Sequence, residues 1–135
     1  MGTVGQLMTR ELNVIEEGAS IQEAAKLMYT HRTGSILVGN DENFSGIVTE
    51  TDVVRAVAEQ PAEVGRLTVK ELMSRPIITL DRKMAPHYAR DLMADRKIRH
   101  LGITEEGKII GILSVRDLLA YFKTISKDLE EMEPH

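Results

Sequence analysis

The sequence predicts an α+β protein built from two tandem units, each reading strand, helix, strand, strand, helix (βαββα). Three observations predict it. The stretch Gly46-Ile47-Val48-Thr49-Glu50-Thr51-Asp52 returns as Gly111-Ile112-Leu113-Ser114-Val115-Arg116-Asp117, an offset of 65 residues. That offset aligns the chain with itself without a gap from Thr3 to Val57. Within each copy a helically spaced apolar stretch, two short apolar runs and a second helical stretch follow in the same order.

The anchors of the repeat are specific. Leu7-Met8 falls on Leu72-Met73, Ala24 on Ala89, Leu27-Met28 on Leu92-Met93, and Gly46-Ile47 on Gly111-Ile112. Between them apolar falls on apolar: Ile36 on Leu101, Val38 on Ile103, Val48 on Leu113, and Val53-Val54 on Leu118-Leu119. A unit of about 60 residues is marginal by itself, so the copies are expected to bury apolar faces against each other. The division read from the repeat is unit 1 at 1–60, a linker at 61–67, unit 2 at 68–124 and a C-terminal tail at 125–135.

Each element has a local cause. Thr3-Val4-Gly5-Gln6 is a capping-box pattern that opens a short turn ending in Leu7-Met8. Leu12 to Ile15 is extended. Ser20 caps the next helix with Glu23 three residues on, and Ile21, Ala24, Ala25 and Met28 follow on one face. Ser35 to Val38 and Phe44 to Val48 read as a hairpin turned at Gly39 to Asn43. A helix follows from Glu50 to about Ala58, with Val53, Val54 and Val57 expected inward. Gln60 to Leu67, holding Pro61 and Gly65, is the polar connection.

The second copy repeats the scheme. Thr68-x-x-Glu71 is a capping box ahead of Leu72-Met73, and Ile77 to Leu80 is extended. Pro86 suits the first turn of a helix running to about Arg96. His100 to Ile103 and Lys108 to Leu113 form the hairpin, turned by Glu105-Glu106-Gly107. The last helix runs from Val115 to about Lys123, and the tail to His135 either extends it or frays.

Composition excludes several function classes. The apolar fraction of 42% and charged fraction of 28% are those of a globular protein. No apolar run approaches the roughly 18 residues of a membrane span. Nothing near Met1 reads as an export leader, so a cytoplasmic location is expected. Cysteine is absent, which removes disulfides and thiol chemistry. A net charge of −4 and the lack of tryptophan disfavour a dedicated nucleic-acid surface.

Catalytic constellations are missing. Histidines 31, 87, 100 and 135 are scattered, with no metal-binding helix spacing. Neither a Gly-x-Ser-x-Gly elbow nor a Gly-Lys-Ser/Thr phosphate loop occurs. Met8, Met28, Met73 and Met93 recur at equivalent apolar positions and read as packing.

The repeated motif supports two readings. Thr49 and Ser114 are suited to cap a helix, with Asp52 and Asp117 at the third helical position completing a capping box. A helix start with free amides, a hydroxyl and a carboxylate can also hold a phosphate and a sugar. Two basic clusters, His31-Arg32 and Arg96-Lys97, follow ending helices and complement the dipole there. Arg99-His100 differs, because Gly34-Ser35 stands at the equivalent place in the first copy. That pair is a candidate for phosphate oxygens.

On these residues the sequence resembles a pair of CBS domains, also called a Bateman module. The features are the tandem unit with Leu-Met near its start, the βαββα order and the Gly-h-h-Ser/Thr-x-x-Asp close, where h is apolar. The likeness runs from about Thr3 to Lys123. It implies two CBS units packed as a pseudo-two-fold pair with two related clefts for adenosine-containing ligands. It also implies that the motif aspartate holds ribose hydroxyls, with the Ser/Thr near ribose or phosphate. Carried over, one cleft combines Thr49, Thr51 and Asp52 with Ser74, Ile78, Ile98, Arg99 and His100. The other combines Ser114, Arg116 and Asp117 with Thr9, Asn13, Thr33, Gly34 and Ser35.

The resemblance thus implies a non-catalytic regulatory module that binds AMP foremost, then ADP or ATP, with S-adenosylmethionine as a further ligand. No cofactor or metal is required, and no membrane is involved. It implies a homodimer acting through its own assembly or through a partner protein. Three alternatives belong to other classes: a nucleic-acid-associated regulator, a small hydrolase, and a structural dimerisation module with dead clefts.

Overall fold

The computed structural model describes residues 2–40 and 43–132. The elements follow one order twice. The first copy has α1 (Val4–Leu7), β1 (Val14–Ile15), α2 (Ile21–His31), β2 (Ser35–Asn40), β3 (Asn43–Thr49) and α3 (Glu50–Glu59). The second has α4 (Val69–Leu72), β4 (Thr79–Asp81), α5 (Pro86–Arg96), β5 (His100–Glu105), β6 (Lys108–Ser114) and α6 (Val115–Met132). The fold is mixed α and β, with two three-stranded sheets ordered β1-β2-β3 and β4-β5-β6. The expected βαββα order is present in both copies.

Each sheet has the same wiring. β1 runs parallel to β2 and β4 parallel to β5, which requires a crossover, and α2 and α5 supply it. β2-β3 and β5-β6 are antiparallel hairpins. The second hairpin closes through Glu106 and Gly107, both at positive φ (52° and 80°). That is the turn geometry whose twist matches the flanking strands. In the first hairpin, Asp41 and Glu42 of the expected Gly39–Asn43 turn lie outside the described residues.

The chain divides into two compact units that cut across the repeat. One is Leu12–Ile78, and the other joins Met1–Glu11 to Thr79–His135. Each repeat's leading turn is therefore built into the unit formed by the other repeat's hairpin. In the first unit, Val69 N–H donates to the Ala19 carbonyl (2.9 Å) and Ile21 N–H to the Leu67 carbonyl (3.0 Å). Ile47 and Ser74 exchange both backbone bonds there, at 3.0 and 2.8 Å. In the second unit, Val4 N–H donates to Met84 (2.8 Å), while Thr9 and Ile112 exchange bonds at 2.8 and 3.0 Å.

Within Leu12–Ile78 one core cluster gathers Ile15, Ile21, Ala24, Met28, Ile36, Val38, Val48, Ala56, Val69 and Leu72. Val64 and Leu67 of the polar connection pack on it. The same pattern recurs in the other unit, where Val4, Met8, Ala89, Met93, Leu101, Ile103 and Leu113 are buried. Burying a side chain such as Ile36 or Leu101 contributes roughly 1.5–3 kcal/mol relative to exposure. The methionines are packing residues, as their equivalent positions predict.

The caps behave as read. Ser20 accepts from Glu23 N–H (3.1 Å), and Glu23 returns a carboxylate oxygen to Ser20 N–H (3.0 Å). Arg32 and Lys97 end α2 and α5 in the left-handed conformation, φ 51° and 56°. One expectation fails on α3. Val53 packs on the core, but Val54 and Val57 are 67% and 53% exposed. Asp52 and Ala56 are buried instead. The reason is the cap: its carboxylate is drawn to the sheet end, which aims the Asp52–Ala56 stripe inward and turns Val54 about 200° away. α6 repeats this, with Leu118 buried and Leu119 exposed. Its helix also extends well past Lys123, to Met132.

Candidate functional site

The motif is a strand running straight into a helix. β3 ends at Thr49 and α3 starts at Glu50; β6 ends at Ser114 and α6 starts at Val115. Thr49 pairs across the ladder with Ser35, and Ser114 with His100. The first helical amide is already used, Glu50 N–H by the Gly34 carbonyl (3.0 Å) and Val115 N–H by the Arg99 carbonyl (2.8 Å). The hairpin start and the helix start are thereby stitched together in both copies.

The carboxylates complete the caps. Asp52 Oδ2 accepts from Thr49 N–H (2.9 Å), and the Thr49 hydroxyl also donates to it (3.2 Å). Asp117 Oδ2 accepts from Ser114 N–H (2.8 Å), while Asp117 N–H donates to Ser114 Oγ (3.2 Å). Asp52 is only 4% exposed and Asp117 is half-buried. The capping reading is therefore realised at both places, and it leaves the carboxylates in defined orientations.

Each compact unit by itself gathers a hairpin start, a motif and a polar residue from the exchanged segment. In Leu12–Ile78, Thr33 donates from its hydroxyl to the Ser35 carbonyl (3.3 Å), and Thr49, Asp52 and Ser74 belong to the same sheet end. Asn13 immediately precedes β1, and its carbonyl accepts from Leu37 N–H (2.9 Å). Ile78 closes this unit, and Thr51 is exposed on the first turn of α3. In the other unit Thr9, Ile98, Arg99, His100, Ser114, Arg116 and Asp117 occupy the corresponding places. Arg99 and Arg116 are exposed, and Ile98 is half-buried.

Sequence reasoning missed Arg55. Its Nη2 donates to Asp52 Oδ1 at 3.0 Å, one turn along α3. The signal was the i,i+3 spacing of opposite charges, a pair that shares a helix face. The second copy has Ala120 at that position. Among the described residues, no group of three or more His, Asp or Glu is placed to hold a metal ion. No helix among them is long and apolar enough to cross a membrane.

Comparison with known proteins follows the repeat. The CBS domain model matches residues 4–59 and 69–124. CBS domain-containing protein YhcV of Bacillus subtilis is 31% identical over 118 residues, 87% of this chain and 84% of that protein. The CBS-domain containing protein ATU1752 of Agrobacterium tumefaciens superposes with a TM-score of 0.84 at 28% identity, covering 88% of this chain and 98% of that one. The CBS domain pair of protein MJ0100 was solved in complex with 5′-methylthioadenosine and S-adenosyl-L-methionine. It superposes with a TM-score of 0.80 at 21% identity over 89% of this chain and 98% of that one, a likeness of fold. With both repeats matched, the chain belongs to the CBS-domain family and carries two such domains in tandem.

Proposed function

We propose that this chain is a cytoplasmic, non-catalytic regulatory module that binds adenosine-containing ligands. AMP is the first candidate, with ADP, ATP and S-adenosylmethionine next, and no cofactor is required. The observation that carries the reading is the duplicated helix start, where a hydroxyl and a carboxylate recur and the cap residue's N–H donates to that carboxylate in both copies. A carboxylate held by its cap has acceptor capacity left for sugar hydroxyls. The MJ0100 pair supports the choice of ligand class, since its two ligands share an adenosine-type core.

In this reading Asp52 and Asp117 accept from ribose hydroxyls, with Thr49 and Ser114 beside them. Arg99, with His100, meets a ligand phosphate. The further ligand contacts are Asn13, Thr33, Gly34, Ser35, Thr51, Ser74 and Ile78 in the Asp52 unit, and Thr9, Ile98 and Arg116 in the Asp117 unit. The signal is passed on through a homodimer or a partner protein.

A thermal-shift screen over AMP, ADP, ATP, S-adenosylmethionine, GMP and GTP tests the proposal. A ligand at 100 times its Kd adds about 2.7 kcal/mol, several degrees for a chain of this size. Stabilisation by adenosine compounds above guanine ones is expected, with ATP and magnesium recovered unchanged on chromatography. No shift with any of them, or turnover of ATP, contradicts the reading.

A further inference from the structure

We infer that Arg55 is a self-ligand of Asp52, an intramolecular competitor that occupies one motif carboxylate while its counterpart Asp117 stays open to a sugar diol. The inference rests on the adenosine reading above and deepens it by ranking the two aspartates.

The two carboxylates differ in one oxygen. At Asp52 both oxygens are engaged, Oδ2 by Thr49 and Oδ1 by the Arg55 guanidinium at 3.0 Å. At Asp117, Oδ2 is engaged by Ser114 N–H, and Oδ1 has no hydrogen-bond or ion-pair partner among the described residues. Ala120 at the position equivalent to Arg55 offers no donor. A vicinal diol recognised by a carboxylate brings two O–H donors and needs oxygens that face it. Asp117 presents such an oxygen without rearrangement.

At Asp52 the diol must share Oδ1 with the guanidinium or expel it. Expulsion is feasible because the Arg55 side chain is 48% exposed, so its charge passes into water. The Asp52 side chain is 6% exposed, so its charge is poorly solvated once the guanidinium leaves. The diol then has to satisfy what Arg55 satisfied before any net binding remains. Arg55 thus lowers affinity at the Asp52 copy, and a phosphate-free adenosine loads the Asp117 copy first. Arg99 acts on the phosphate and is silent with this ligand, so the two effects separate.

Calorimetric titration of adenosine into the full chain tests the inference. In an Asp117→Ala background, adding Arg55→Ala is expected to tighten adenosine binding about three- to five-fold, the range set by an ion pair with one half-exposed member. In an Asp52→Ala background, Ala120→Arg is expected to weaken binding by a similar factor. Ala120 is exposed, so this second change tests the idea without disturbing the core. Unchanged or weaker binding on Arg55→Ala overturns the inference, as does an Ala120→Arg variant that binds like its parent. If wild type binds adenosine and these variants show no effect, only the role of Arg55 fails. If wild type binds no adenosine compound at all, the adenosine reading fails and the inference with it.

Discussion

A Cβ placed on Gly46 would lie 2.6 Å from Met73 Sδ and 2.8 Å from the Ser74 carbonyl oxygen. The glycine that opens the motif is therefore where the exchanged segment of the second repeat crosses β3. Gly111 stands in the same relation to Met8 and Thr9. Backbone, not only a flexible thioether, occupies the space a side chain would need.

Gly46→Ala should accordingly destabilise the chain by about 1–3 kcal/mol through overpacking at this crossing. Urea unfolding of the variant measures it. A change within about 0.5 kcal/mol would mean that the segment shifts aside freely and that the exchange is loosely held.

Arg99→Ala should weaken AMP binding by about 1.5–3 kcal/mol, the loss of a hydrogen bond to a charged group, and adenosine binding by much less. Arg99 is exposed and has no ion-pair partner among the described residues, so its removal should leave stability unchanged. Equal weakening of both ligands would show that the arginine does not read phosphate.

Val54, Val57 and Leu119 leave apolar surface on α3 and α6, at 67%, 53% and 65% exposure. Val54 and Leu119 are equivalent positions, so the same feature appears in both repeats. If these faces hold the homodimer together, Val54→Glu with Leu119→Glu should yield monomers on analytical ultracentrifugation. Unfolding at low protein concentration should move by less than about 0.5 kcal/mol, as exposed substitutions do. A wild-type monomer, or a dimer unaffected by both changes, would remove the assembly from the account.

Much of this was legible in the residues. The gap-free offset of Thr3–Val57 on the second half located both hairpins and both motif helices. The Ser20–Glu23 and Thr68–Glu71 boxes located two helix starts, because capping chemistry is local. The inward face of α3 was misread at Val54 and Val57 because a valine-rich helix offers several apolar stripes. The choice among them was made by Asp52, a polar side chain that turned inward to finish its cap. The exchange of α1 and α4 was not readable either. Both leading turns carry the same Leu-Met pair, so nothing local says which hairpin each will join. The Asp52–Arg55 pair does not stand out in the sequence, since an i,i+3 pair on a helix is most often solvated and the burial of Asp52 is a tertiary fact.

The most direct test of the central claim is calorimetric titration of AMP into wild type and into the Asp52→Ala/Asp117→Ala double variant. Each carboxylate should contribute about 1.5–3 kcal/mol of binding through its bonds to the sugar. Wild type should bind AMP saturably, and a double variant that still unfolds cooperatively should lose that binding or show it weakened at least ten-fold at each copy. Undiminished AMP binding by the folded double variant, or none by wild type, would contradict it.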